Sequence, residues 1–85
     1  MAKYGIYTIK DVLTKSFTGI TLFLSQEEAE RSFSSQVNSI QIWKDNPNDF
    51  ELWRVGEYDT ETGMVGVSDE FPVEKIGSGR AYVRG

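Results

Sequence analysis

The sequence predicts an α+β fold: a small, mostly antiparallel sheet of about four strands with one amphipathic helix packed on it, in the order β-β-α-β-β. Three observations carry this expectation. Runs towards both ends alternate at the two-residue period of strands. A capping signal in the middle is followed by apolar residues at helical spacing. Clusters of Asn, Asp, Gly and Pro separate these runs.

The first strand is "YGIYTIKDVL", with Tyr7 and Ile9 on one face and Ile6 and Thr8 on the other. Bulk on both faces suggests a strand partly covered on each side. "LTKSFTG" reads as a turn ending at Gly19, and "ITLFLS" alternates Ile20, Leu22 and Leu24 against Thr21 and Phe23 as the second strand. Ser25 stands three residues before Glu28, a capping box, and Glu27, Glu28 and Glu30 complement the positive end of a helix dipole. Ala29, Phe33, Val37 and Ile40 then form a narrow apolar stripe, so residues 25–40 are one helix packing on the sheet. Ser34, Ser35, Gln36 and Asn38 are weak helix formers, and tertiary packing must hold the helix's second half.

"KDNPND" ends this run, because Pro47 disfavours helix at Asn46 and the Asn/Asp cluster favours turns. "QIW" before it fits either a helix end or an irregular apolar plug. In the next strand, Phe50, Leu52 and Arg54 alternate against Glu51, Trp53 and Val55. "DTETG" is a turn with Gly63 available for positive φ, and "MVGVSDEF" is the hairpin partner. "PVEKIG" is a short edge segment with Pro72 at its start. The expected domain is 1–76, followed by a flexible basic tail over 77–85.

The 85 residues suffice for one domain with a small core, and 39% hydrophobic with 13% aromatic residues argue for a folded chain. No cysteine is present, which removes disulfides and thiolate chemistry and is compatible with a reducing cytoplasm. The start lacks a signal peptide's apolar region, and no apolar run is long enough to span a membrane. The net charge is −4; nine acids and one base, Arg54, fall between Asp45 and Glu74, whereas Lys75, Arg80 and Arg84 follow without an acid. Such a body is a poor non-specific binder of nucleic acid, so any DNA contact needs a local basic face or the tail.

With neither His nor Cys, no His-based general base or nucleophile triad can be assembled. Glu57, Asp59 and Glu61 share a strand face that runs into a turn and read as a solvated edge. The acids from Asp59 to Glu70 lack the calcium loop's glycine at the sixth place, where Met64 stands. "GSG" at 77–79 lacks the Lys-Ser/Thr of a phosphate loop and reads as a joint. No enzyme activity, metal or cofactor is therefore expected. The candidate DNA or partner contacts are the aromatics and bases that interleave: Tyr7, Lys10, Trp43, Lys44, Trp53, Arg54 and Tyr58, with Arg80 and Arg84 in the tail. Strands apolar on both faces, with one helix to cover one of them, also raise a homo-oligomer.

"YTIKD", "AERSFSSQVN" and "NPNDFELWRVGEYDTETG" together resemble the small non-structural protein of gokushoviruses, single-stranded-DNA phages of the Microviridae, over roughly residues 4–75. The matching positions are Tyr7, Thr8, Ile9 and Asp11 in the first strand and Ala29, Arg31 and Phe33 in the helix. Asn46, Pro47, Asp49, Phe50 and Leu52 match in the turn, and Gly56, Glu57, Tyr58, Asp59, Thr62 and Gly63 in the hairpin. Lys10 stands where the family often has an aromatic, and "KSFTGITLFLS" is more apolar than the family pattern. By analogy with the C protein of other microviruses, the resemblance implies a non-enzymatic regulator in the host bacterial cytoplasm. It would act at the switch from duplex replication to single-strand synthesis and packaging, with viral replication or procapsid proteins as partners. The alternative is a single-stranded-DNA-binding module that uses aromatic stacking and Lys/Arg contacts.

Overall fold

Two long central strands organise the chain. In the computed structural model, which describes residues 3–67 and 73–84, β1 (Lys3–Asp11) pairs antiparallel with β2 (Ser16–Phe23) on one side and β3 (Phe50–Asp59) on the other. The far edge of β3 is shared between β4 (Val65–Gly66), opposite Glu57 and Tyr58, and β5 (Glu74–Ser78), opposite Glu51–Arg54. The result is the expected α+β architecture, an antiparallel sheet with one main helix, with five strands rather than about four.

The first connection differs from the expected turn at 13–19. Asp11 Oδ1 accepts from the backbone of Leu13 (3.0 Å) and Thr14 (3.4 Å), and Lys15 has a φ of 58°, so the chain reverses over 12–15. Phe17 is therefore a strand residue opposite Lys10. Gly19, at φ 54°, supplies the extra residue of a bulge, because Thr8 pairs with Ile20 while Ile9 pairs with Thr18. The buried Thr8 hydroxyl donates to the carbonyls of Thr18 (3.1 Å) and Gly19 (2.6 Å), satisfying the polar groups that the bulge frees.

The helix α1 (Gln26–Ser39) begins where the capping box places it. Ser25 Oγ accepts from Glu28 N at 3.2 Å, and Glu27 and Glu28 occupy the first turn. Its stripe of Ala29, Phe33 and Val37 packs on Tyr7 and Leu52 to form the core, with Ile9, Phe23, Trp43, Phe50, Ile76 and Tyr82 around it. "QIW" becomes a second, short helix, α2 (Gln41–Asp45), which stacks Trp43 on Phe50 at 4.6 Å and 15°. A 3-10 turn, Pro47–Asp49, then feeds β3.

The hairpin after β3 turns as expected: Gly63 has φ 76° and its N–H donates to Asp59 O at 2.8 Å. Its return strand is only Val65–Gly66, and the Ser68–Phe71 part of the expected partner run lies outside the described residues, as does Pro72.

The reading of 77–85 as a flexible tail, jointed at "GSG", is corrected over residues 77–84. Gly77 lies in β5, and Gly79–Tyr82 form a 3-10 turn docked on α1. The Tyr82 ring meets Phe33 edge-on at 5.3 Å, its hydroxyl donates to Glu30 at 2.7 Å, and Asn38 Nδ2 donates to its carbonyl at 2.9 Å. Gly79 is required there: a Cβ on it would stand 2.5 Å from Pro47 O. One aromatic, distant in sequence from its partners, converts an apparent tail into part of the core's rim.

Candidate functional site

The strand pairing sorts side chains onto two faces. α1 covers the face of Tyr7, Ile9 and Leu52. Among the described residues no helix packs on the other face, where Lys10 lies between Phe17 on β2 and Glu51 on β3, with Trp53 next along β3. Phe17 and Trp53 meet edge-to-face at 5.6 Å and 87°, and the Lys10 ammonium sits 5.7 Å and 5.6 Å from their ring centroids. Each such cation–ring contact at a surface is worth about 0.5–1 kcal/mol. Phe17 remains 50% exposed, so the grouping presents apolar surface outward rather than completing a core.

A polar chain continues the patch. Trp53 Nε1 donates to Glu51 Oε1 at 3.0 Å, and Lys75 Nζ lies 3.0 Å from Glu51 Oε2. Burial pulls the Glu51 carboxyl up, but the Trp53 hydrogen bond and the Lys75 and Lys10 charges outweigh it and hold its pKa below the usual value. The carboxylate thus stays ionised and fixes the indole. Arg54, the next residue on β3, stands opposite Tyr7 and so belongs to the α1 side of the sheet, where it pairs with Glu74. The arrangement offers an aromatic pair, a held cation and an ordered carboxylate, which suit the recognition of a mixed apolar and polar surface.

The other candidates are scattered. Tyr7 is 3% exposed beneath α1, packed edge-on against Phe23 at 5.8 Å, and is a core residue. Tyr7 and Trp43 do reach a cleft of about 260 Å³ between α1 and β2, to which Thr18, Thr21, Ser32 and Gln36 contribute polar side chains. Lys44 is exposed on α2, away from Lys10, and Tyr58 lies between Tyr4 and Val65 in the sheet. Arg80 is exposed, whereas Arg84 is tied to α1 through Asn38 Oδ1 (2.9 Å) and Ser34 Oγ (3.4 Å). Of the predicted contacts, therefore, Lys10 and Trp53 come together, and the rest, Arg54 on the opposite sheet face included, do not. Phe17 is the member that sequence reading missed, because it was assigned to a turn. The Asx-turn potential of Asp11 was the local signal that β2 begins earlier.

Fold and patch describe a small α+β protein with one sheet face covered by a helix and the other presenting an aromatic–cation cluster. The chain belongs to the Phage ORF5 protein family, a bacteriophage family whose model matches residues 4–82. No curated protein and no solved structure shows significant similarity to it. Among the described residues, no helix is long and apolar enough to cross a membrane.

Proposed function

We propose that this phage protein is a non-enzymatic accessory factor that docks on viral replication or procapsid proteins through the Lys10–Phe17–Trp53 face. In this reading it acts in the host cytoplasm at the switch from duplex replication to single-strand synthesis and packaging, as the gokushovirus resemblance implies. The observation that carries the docking role is the edge-to-face Phe17–Trp53 pair beside Lys10, with Phe17 half-exposed, on the sheet face opposite α1. A net charge of −4 favours a protein partner over bare DNA, since little counterion release is available. Purified replication initiator and procapsid proteins, titrated against the wild type and Trp53→Ala, test it. Binding that the substitution weakens supports the role, and binding it leaves unchanged removes this face from it.

A second reading, single-stranded-DNA binding, is favoured by one observation: a cation beside two rings is also a platform for a base and its phosphate. Titration with an oligonucleotide over a salt series separates the two. Trp quenching at micromolar protein that weakens steeply with salt supports DNA binding, and its absence removes it. Substituting Arg80 and Arg84 by Ala tests whether the C-terminal bases contribute.

A further inference from the structure

We infer that the outer edge of β2 is an interface at which two copies of this chain pair antiparallel, joining their sheets. The two edges of the sheet are built differently. The β4/β5 edge is broken into strands of two and five residues and carries Glu74 and Lys75. β2 is eight residues long, and from Ser16 to Ser25 the chain has no charged residue and no proline. Unpaired strand edges are ordinarily guarded by Lys, Pro or brevity. β2 has none of these, only the Gly19 bulge. Its neighbour β1 lies on one side, so the outward half of its backbone N–H and C=O groups has no sheet partner among the described residues.

The side chains identify a second copy as the occupant. On β2, Phe17, Ile20 and Leu22 point to the face away from α1, and Thr18 and Thr21 to the α1 side, as their partners on β1 require. A two-fold axis between Gly19 and Ile20 sets Phe17 opposite Leu22 of the second copy, and Thr18 opposite Thr21 of the second copy. Apolar then meets apolar on one face and threonine meets threonine on the other. Ile20 (68% exposed) and Leu22 (42%) lose exposure in that pairing. Because the seam is free of charge, two bodies of net −4 meet there without opposing like charges. The two-fold stands perpendicular to the sheet, so both Lys10–Phe17–Trp53 clusters share one face of the joined sheet and both α1 helices the other. This pairing is independent of what the face binds.

Sedimentation equilibrium of the full chain tests the pairing, with a dimer expected and Ile20→Lys raising its dissociation constant at least tenfold while circular dichroism stays unchanged. The register is tested with the double variant Thr18→Cys/Thr21→Cys under a mild thiol oxidant, since the chain has no cysteine of its own. The two thiols stand too far apart along one strand to bridge within a chain, but face each other across the two-fold. The double variant should form a covalent dimer readily and Thr21→Cys alone slowly. Three results each overturn the inference: a wild-type monomer up to about 1 mM protein, a dimer that Ile20→Lys leaves intact, or equal cross-linking of double and single variants.

Discussion

Replacing Tyr82 by Ala measures how firmly the C-terminal turn belongs to the fold. The substitution removes three contributions. Partial burial of the ring is worth about 1–1.5 kcal/mol, scaled down from the full aromatic value. The edge-on contact with Phe33, at 5.3 Å, adds about 1 kcal/mol. The hydroxyl's bond to Glu30, at 2.7 Å and only part-buried, adds about 1 kcal/mol. The expected loss is therefore about 3 kcal/mol, with Tyr82→Phe costing about 1 kcal/mol because it keeps the ring. A domain of this size has a total stability of order 5–10 kcal/mol, so the change is easily resolved. Urea unfolding followed by Trp fluorescence should show a lower midpoint with an unchanged slope. Titration supplies a second reading. Burial, followed by the Glu30 hydrogen bond and charge, pushes the Tyr82 phenol from 10.0 up to about 12. A pKa raised on folding means stability that is complete below pH 10.0 and lost as the pH rises through about 12. Tyr82→Phe should lack that alkaline loss. A loss below about 0.5 kcal/mol for Tyr82→Ala would refute the docking, being the scale of an ordinary surface substitution.

Other outcomes follow from the same contacts. Gly79→Ala should destabilise by about 1–3 kcal/mol, because its Cβ meets the Pro47 carbonyl, a backbone atom that cannot swing away; thermal unfolding checks this. Glu51 should report on Trp53 in acid. Its pKa is depressed on folding, so the associated stability is present above 4.5 and lost as the pH falls through its folded value. Trp emission should accordingly change with a midpoint below 4.5, and Glu51→Gln should remove that step.

Local chemistry explains which parts of this fold were legible in the sequence. Ser25 and Glu28 bond within one turn, and Ala29, Phe33 and Val37 share a face by helical geometry alone, so the helix could be read to within a residue of each end. Gly63 likewise declared its turn. Gly19 did not, because positive φ serves a bulge as readily as a turn, and only the register with β1 distinguishes them. Tyr82 was invisible for a different reason: its partners Glu30 and Phe33 lie some fifty residues away. The site divides in the same manner. Lys10 and Trp53 were candidates on residue type, but their convergence with Phe17 depends on pairing across three strands. Tyr7, equally promising by type, is drawn into the core by its position under α1.

Calorimetric titration tests whether the face of Lys10, Phe17 and Trp53 docks a protein of the phage replication or packaging machinery, as proposed above. Purified replication initiator and procapsid would each be titrated with the wild type, Trp53→Ala and Lys10→Glu, after circular dichroism has verified that the variants fold. The wild type should bind one of the two partners, and Trp53→Ala should bind it at least about thirtyfold more weakly, the loss expected of a central aromatic anchor. Equal affinities for the wild type and both variants, or no binding to either partner, would contradict that docking.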